Sequence, residues 1–479
     1  MGIGLDRVPA GAKEYASEFI SAPPSGPASG SVLRLWSSDR GISFRLPSSI
    51  GELDAFILNV VWLYASPTDV ASLRASVIAL VDHMPFLAGR RSTAVVGGAR
   101  VPVVTLEGAA GVRFSHRAGA PGSAKTYAGD EHVEPERGLL ADMATLRGVR
   151  RMSEPLFTVR VTNFQDGTSS VGICCSHALA DGLSFFEIVK ALAAGHAGGE
   201  WRCPSLQRDF ALIPAIPLAE VPRGAIRLSA WWYTRLVSPL VVWLFRGMFR
   251  RPRARLHLTA AEVGLIKGGA RLPDGTSPST NEALSALLAK ALGAELRCTR
   301  ETRLGMVVGM RGRGVFAPAD KSAGNFSGIV LHRLRRAPQD TPLPELVAAF
   351  RGLGDRLRDP QKLLDTTARW SKVYALQEPP HDAFAPRMID PELSLSKLPL
   401  SLNNQMGFAW GQVEFGAGPC TGVIPWHSGP DLHIIARPTG ANSAQHLSGG
   451  VDVYFQPNPS RIRYLEGDAF KAKLMALVA

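Results

Sequence analysis

Apolar positions along this chain fall into two alternating patterns, short unbroken runs and stripes of helical period. The stretch Phe56-Ile57-Leu58-Asn59-Val60-Val61-Trp62-Leu63-Tyr64 is nearly continuous and reads as a buried strand. After Ser66-Pro67-Thr68-Asp69, residues Val70, Leu73, Val77, Leu80 and Val81 lie on one helical face, and Pro85 stops that helix. Residues 158–164 and 171–175 form two further strands joined at Asp166-Gly167, a strong hairpin signal. A helical stripe over 183–192 follows directly. In the second half the pattern predicts a strand over Ala254–Leu258, helices over 260–267 and 281–292, and a strand over 306–310. Alternation of this kind predicts an α/β chain.

Between those regular stretches the pattern breaks down in two places. Residues 1–40 include Ala22-Pro23-Pro24-Ser25-Gly26-Pro27 and read as a loop-rich segment. Residues 206–253 read as a crossover between a unit at 41–205 and a unit at 254–479, because prolines cluster at Pro214 and Pro217. Inside the crossover, residues 231–249 are apolar and aromatic but are interrupted by Arg235, Pro239 and Arg246, too short a run for the roughly 20 apolar residues of a spanning helix. Trp231, Trp232, Trp243, Phe245 and Phe249, beside the basic Arg250, Arg251, Arg253 and Arg255, have the composition of an interfacial membrane contact. A buried core helix or a dimer surface has the same composition.

Composition narrows the classes. With 479 residues, 46% hydrophobic and 20% charged, the chain is globular and long enough for two cores. The formal charge of +12 points to an anionic partner, a nucleic acid, a membrane surface or a phosphorylated cofactor. No nucleic-acid-binding motif is present, which argues against the first. Five cysteines without a framework spacing suit a reducing compartment, and the N-terminus carries no basic and apolar leader. The expected location is intracellular, cytoplasmic or peripheral on a membrane. The eleven histidines show no metal-ligand spacing, so no metal is expected.

One place concentrates chemistry. Ser176-His177-Ala178-Leu179-Ala180-Asp181-Gly182 joins the end of a strand to the start of a helix. His177 can accept a proton near neutral pH and is a candidate general base. Asp181 suits a helix N-cap, and Gly182 suits a turn or a close backbone approach.

Four segments in order then resemble the BAHD acyl-CoA-dependent acyltransferases, within the chloramphenicol-acetyltransferase-like group. They are Leu87-Ala88-Gly89-Arg90, the HxxxDG motif from His177 to Gly182, Arg311-Gly312-Arg313 with Gly324-Asn325, and Glu414-Phe415-Gly416-Ala417-Gly418 in place of the usual Asp-Phe-Gly-Trp-Gly. Pro155-Leu156-Phe157 and Asn281-Glu282 also resemble elements of the wax-ester synthases. Ser176, where peptide-synthetase condensation domains have a first histidine, disfavours that branch.

The resemblance implies two α/β domains, each a mixed sheet with flanking helices, and a channel between them. It implies transfer of an acyl group from acyl-CoA to a hydroxyl or amine with His177 as base, no permanently bound cofactor, and a monomer. It gives Asp181, Gly182 and Arg311 a role in holding the catalytic loop, with Arg311 the partner of Asp181. Glu414, Phe415, Gly416 and Gly418 would support the fold, and Asn403, Asn404 and Trp410 become candidates for oxyanion or substrate contacts. The apolar 231–249 segment, read with this chemistry, points to a hydrophobic acceptor such as a fatty alcohol, diacylglycerol, sterol or carotenoid. A soluble secondary metabolite as acceptor, or a non-catalytic lipid-binding homologue, are the alternatives.

Overall fold

In a computed structural model of the chain, the described residues are 15–20, 32–34, 57–96, 99–105, 111–129, 139–142, 154–204 except 178, 226–227, 253–359 with short gaps, and 388–389. Beyond these lie 400–425, 432–437, 449–455 and 462–478. Nearly all of the crossover, with Trp231, Trp232, Trp243, Phe245 and Phe249, falls outside them, as do the loop at 22–30 and Asn325.

The first half supplies β1 (Tyr15–Ile20), β2 (Val32–Arg34), β3 (Ile57–Tyr64), helix α1 (Val70–His83), β4 (Arg90–Val96), β5 (Ala99–Thr105), β6 (Val112–Ala120), α2 (Ala124–Ala128), β7 (Phe157–Phe164), β8 (Ser169–Ser176) and α3 (Gly182–His196). The second half supplies β9 (Ile226–Arg227), β10 (Ala254–Leu258), α4 (Ala260–Gly269), α5 (Thr280–Glu295), β11 (Arg303–Gly309), β12 (Ser327–Arg333), α6 (Leu343–Arg358), β13 (Met388–Ile389), β14 (Leu400–Asn404), β15 (Cys420–Pro425), β16 (Leu432–Ala436) and β17 (Val451–Phe455). Asp69 opens α1 by accepting from the main-chain N–H groups of Ala71 and Ser72. Thr259 with Glu262, and Ser279 with Glu282, form reciprocal capping boxes that start α4 and α5.

Two six-stranded mixed sheets carry the molecule, ordered β1-β6-β7-β8-β3-β15 and β10-β17-β16-β14-β11-β12. This is the two-sheet α/β architecture expected from the sequence. Two details differ from the boundaries drawn there. The N-terminal 40 residues contribute β1, which pairs with β6, and β2, which pairs with β5. Strand β15, from the C-terminal half, pairs antiparallel with β3 and closes one edge of the first sheet. The chain therefore crosses back, and the C-terminal half completes the first sheet.

Strand alternation sorts the second sheet into two unlike faces. Leu304, Leu402, Ile434, Val453 and Leu256 share the apolar face that packs in one core with α5 and α6. On the other face, Ile435 and Tyr454 belong to the first sheet's core. That second face is the seam between the two sheets. Tyr454 donates its hydroxyl to the Val423 carbonyl across it, at 3.3 Å.

Candidate active site

Strand β8 ends at Ser176, so His177 emerges at the strand's mouth and is half-buried. Burial lowers its pKa below the ordinary histidine value, against the opposing charge of Asp181 and a hydrogen bond to its own main chain. Nδ1 is the ring nitrogen that can reach its own backbone. With its proton on Nδ1, the ring keeps a lone pair on Nε2 for an incoming proton.

The loop after His177 is held by an ion pair that spans the two sheets. Asp181 Oδ1 accepts from the Ser184 main-chain N–H at 2.9 Å and caps α3, while Oδ2 accepts from Arg311 Nη1 at 2.6 Å. Both side chains are almost fully enclosed, 2% and 3% exposed, so neither charge is screened by water. Asp181 thus does both jobs, N-cap and ion-pair partner, and its two oxygens are turned inward. The Gly324 carbonyl accepts from Asp181 N, Ser184 Oγ and Arg311 Nη2 at 3.0, 2.8 and 2.7 Å. Ser184 also accepts from Arg311 Nη2 at 2.5 Å. Sequence reasoning missed Ser184, although its place one helical turn after Asp181 puts it on the same side of α3.

Gly182 lies against the turn that follows β14. The Phe408 ring is 3.5 Å from where a Cβ would sit at Gly182, and it stacks on Phe186 with centroids 5.3 Å apart. The strand leading into that turn carries the candidate contacts, and alternation separates them. Asn404 points to the helix side, donating to Asn281 Oδ1 and accepting from Met406 N at 2.8 Å. Asn281 in turn accepts from Ser285 Oγ at 3.1 Å. Glu282, its neighbour, is taken up by the α5 cap and by Arg351 at 3.1 Å. Trp410 is 1% exposed and enclosed by Trp62, Phe185, Phe186 and Phe408, which is a core position with no ring face left for substrate. Only Asn403 of the three is on the seam face. Its Oδ1 accepts from Gln405 Nε2 at 3.4 Å, and Gln405 Nε2 also reaches His433 Nδ1 at 3.4 Å.

His433 sits on β16 directly beside Asn403. Burial, reinforced by the positive charge of Arg253, lowers its pKa to about 3. An unfolded histidine titrates near 6.5, so the unfolded chain takes up a proton below that pH while the native one does not. The stability that neutral His433 contributes is complete above pH ~6.5 and is lost as the pH falls towards its folded value, at about 1.4 kcal/mol per pH unit. In urea titrations between pH 6 and pH 4, the wild type is expected to lose about 2 kcal/mol more than His433→Gln. Parallel losses would show that His433 is not held neutral.

The Glu414-Phe415-Gly416-Ala417-Gly418 loop is far from this chemistry in its contacts. Phe415 is fully buried against Trp62, Tyr64 and His196, and Gly416 and Gly418 have φ of 72° and 80°, the left-handed region where glycine alone is unstrained. Glu414 is exposed. Tyr64 donates to the Val413 carbonyl at 2.9 Å and ties the loop to β3.

Among the described residues no group of three His, Cys, Asp or Glu side chains is placed to hold a metal, and no helix is long and apolar enough to cross a membrane. Burial pushes the Cys174 thiol up to about 12 and the adjacent Cys175 higher still, so neither supplies a thiolate near His177.

A family model described as Transferase family matches residues 63–226. Tryptamine hydroxycinnamoyltransferase 2 of Oryza sativa subsp. japonica is 24% identical over 292 residues, which is 59% of this chain and 61% of that protein. The chain's match thus spans about three fifths of that curated relative. Among solved structures, F. sporotrichioides TRI101 complexed with coenzyme A and T-2 aligns with a TM-score of 0.63 at 13% identity, over 92% of this chain and 98% of that one. Vinorine synthase aligns at 0.58 and 14% identity over 97% of each chain. The first condensation domain of the CDA synthetase follows at 0.52 and 17%, over 92% of this chain and 97% of that one. At these identities the structures establish a shared fold, and the family match agrees with the resemblance read from the motifs.

Proposed function

We propose that this chain is a BAHD-type transferase that moves an acyl group from an acyl-CoA to a hydroxyl of a small-molecule acceptor, with His177 as the general base and no covalent enzyme intermediate. The observation that carries the reading is the Asp181–Arg311 ion pair, which commits the aspartate to structure and fixes the loop that follows His177. A histidine at the mouth of a strand, next to a loop fixed by an ion pair and with its acidic neighbour turned away, is suited to taking a proton from an acceptor brought against it.

His177 Nε2 takes the acceptor's proton as the oxygen attacks the thioester carbonyl. The carbonyl oxygen becomes an oxyanion, for which Asn403 Nδ2 is the donor we assign, since Gln405 holds Asn403 Oδ1 and turns the amide's other end to the seam. Collapse of the tetrahedral species expels the CoA thiolate, and the imidazolium returns the proton to sulfur. Products are the ester and free CoA. A cysteine-bound intermediate has no support, because Cys174 and Cys175 are held as thiols. The basic balance of the chain suits the phosphates of CoA, and TRI101, which shares the fold, is a protein complexed with coenzyme A.

A second reading concerns the acceptor. The aromatic and basic composition of residues 231–249 favours a hydrophobic acceptor drawn from a membrane surface. One assay addresses both readings: free thiol released from short-chain, aromatic and long-chain acyl-CoAs, offered with polar alcohols in one series and a lipid extract in another. Acceptor-dependent release is expected, and its dependence on the series identifies the acceptor class. Release that no acceptor accelerates overturns the acyltransferase reading.

A further inference from the structure

The seam face of the second sheet carries buried polar atoms that hydrogen-bond to none of the described residues. Ser401, Asn403 and Gln405 succeed one another on that face, about 7 Å apart along the strand. Ser401 and Gln405 are each 3% exposed, and Ser401 Oγ and Gln405 Oε1 have no hydrogen-bond partner among the described residues. A buried polar atom left unpaired costs free energy, so native structures retain few without a use.

The neighbouring strand leaves room beside them. Gly305 is the β11 partner of Ser401, and continuing that register sets Gly309 level with Gln405. A Cβ at Gly309 would meet nothing within 4 Å, and Val307, between the two glycines on this face, is half-buried. Open space therefore adjoins the strip at its Gln405 end. The same end is tied to the catalytic loop, since Phe408 N donates to the Gln405 carbonyl at 2.9 Å and the Phe408 ring covers Gly182.

From this placement we infer that Ser401 and Gln405 are specificity-determining residues, and that the acceptor is a polyfunctional alcohol bearing a second hydroxyl or N–H that donates to Gln405 Oε1 or pairs with Ser401 Oγ. The inference rests on the acyltransferase reading and narrows its acceptor. Gln405 can offer this group only an acceptor oxygen, because its Nε2 is already directed at Asn403 and His433. A site built around such an atom disfavours an analogue that cannot fill it.

The test compares matched acceptors in the thiol-release assay: cyclohexanol with cyclohexanediol, phenethyl alcohol with its ring-hydroxylated form, and decanol with decanediol. In the wild type the hydroxylated member of a pair that turns over is expected to have a kcat/KM roughly 10-fold or more above its partner. In Gln405→Met and Ser401→Ala that ratio is expected to fall towards one. Taking the ratio cancels any common effect on the oxyanion through Asn403. Ser401→Ala is expected to unfold at or above the wild-type temperature, since it removes an unpaired buried atom, whereas Gln405→Met also removes Nε2 from Asn403 and His433 and is expected to unfold somewhat lower. Should Gln405→Met not fold, Ser401→Ala carries the comparison alone. Equal use of both members by the wild type, or a ratio the variants leave unchanged, overturns the inference. Absence of thiol release with every pair overturns the acyltransferase reading, and this inference with it.

Discussion

His177→Ala is expected to lower kcat for thiol release by about 10²- to 10⁴-fold, the range that a positioned general base contributes. Its effect on the KM for acyl-CoA is expected to be small, because a base that acts only as the proton moves adds little to ground-state binding. His177→Gln keeps a hydrogen-bonding side chain of similar reach but no titrating nitrogen, and is expected to be as impaired. The pH profile is an independent check. The base must be neutral, and burial lowers the pKa of His177 below its usual value of about 6.5. The rate is therefore expected to rise with pH through an inflection below ~6.5 and to be flat above it. Removing the negative charge in Asp181→Asn removes the influence that raises this pKa, so the inflection is expected to move to still lower pH. A His177→Ala protein that keeps turnover within a few-fold of wild type would end the general-base assignment.

Much of the geometry of this candidate site was legible in the sequence because the residues proposed for it are close together in the chain. His177, Asp181 and Gly182 share one strand-turn-helix, and local rules alone place Asp181 at the head of α3. The hairpin at Asp166-Gly167 and the β3–α1 pair were equally local. What remained hidden depended on which face of a strand meets which lobe. Asn403 and Asn404 are adjacent, so alternation puts their side chains on opposite sides of the second sheet, but only the packing of α5 shows that Asn404 is on the helix side. The family resemblance offers Trp410 as a contact, yet the aromatic residues of β3 and α3 enclose it. Ser184, Gln405 and His433 carry no motif of their own. Their significance comes from partners 28 to 140 residues away, and the return of β15 to the first sheet joins strands separated by most of the chain. No periodicity encodes such pairings.

Breaking the pair from the Arg311 side is expected to have the second large effect. Arg311→Leu leaves the Asp181 carboxylate buried with its helix-cap bond but without its cation. An uncompensated charge in such a place costs about 3–5 kcal/mol, a large part of the stability of a typical domain. The same substitution removes one of the donors to the Gly324 carbonyl and to Ser184, so the contact between the Asp181 loop and the second sheet loosens as well. Stability and activity can be separated by removing the carboxylate too. In Asp181→Asn/Arg311→Leu the buried charge is gone while the amide oxygen still caps α3, and replacing both ions of a buried pair is often close to neutral for stability. The double variant is therefore expected to recover most of the lost unfolding free energy in urea titration, with a coupling of about 2 kcal/mol or more between the two sites. Activity is expected to follow a different course, because an amide facing an aliphatic side chain cannot rebuild the bridge that orients His177, and kcat is expected to stay depressed by at least about 10-fold in a protein that is folded. Recovery of kcat together with stability would mean that the ion pair serves the fold alone. Full stability in Arg311→Leu by itself would mean that Asp181 is not held as a buried carboxylate at all.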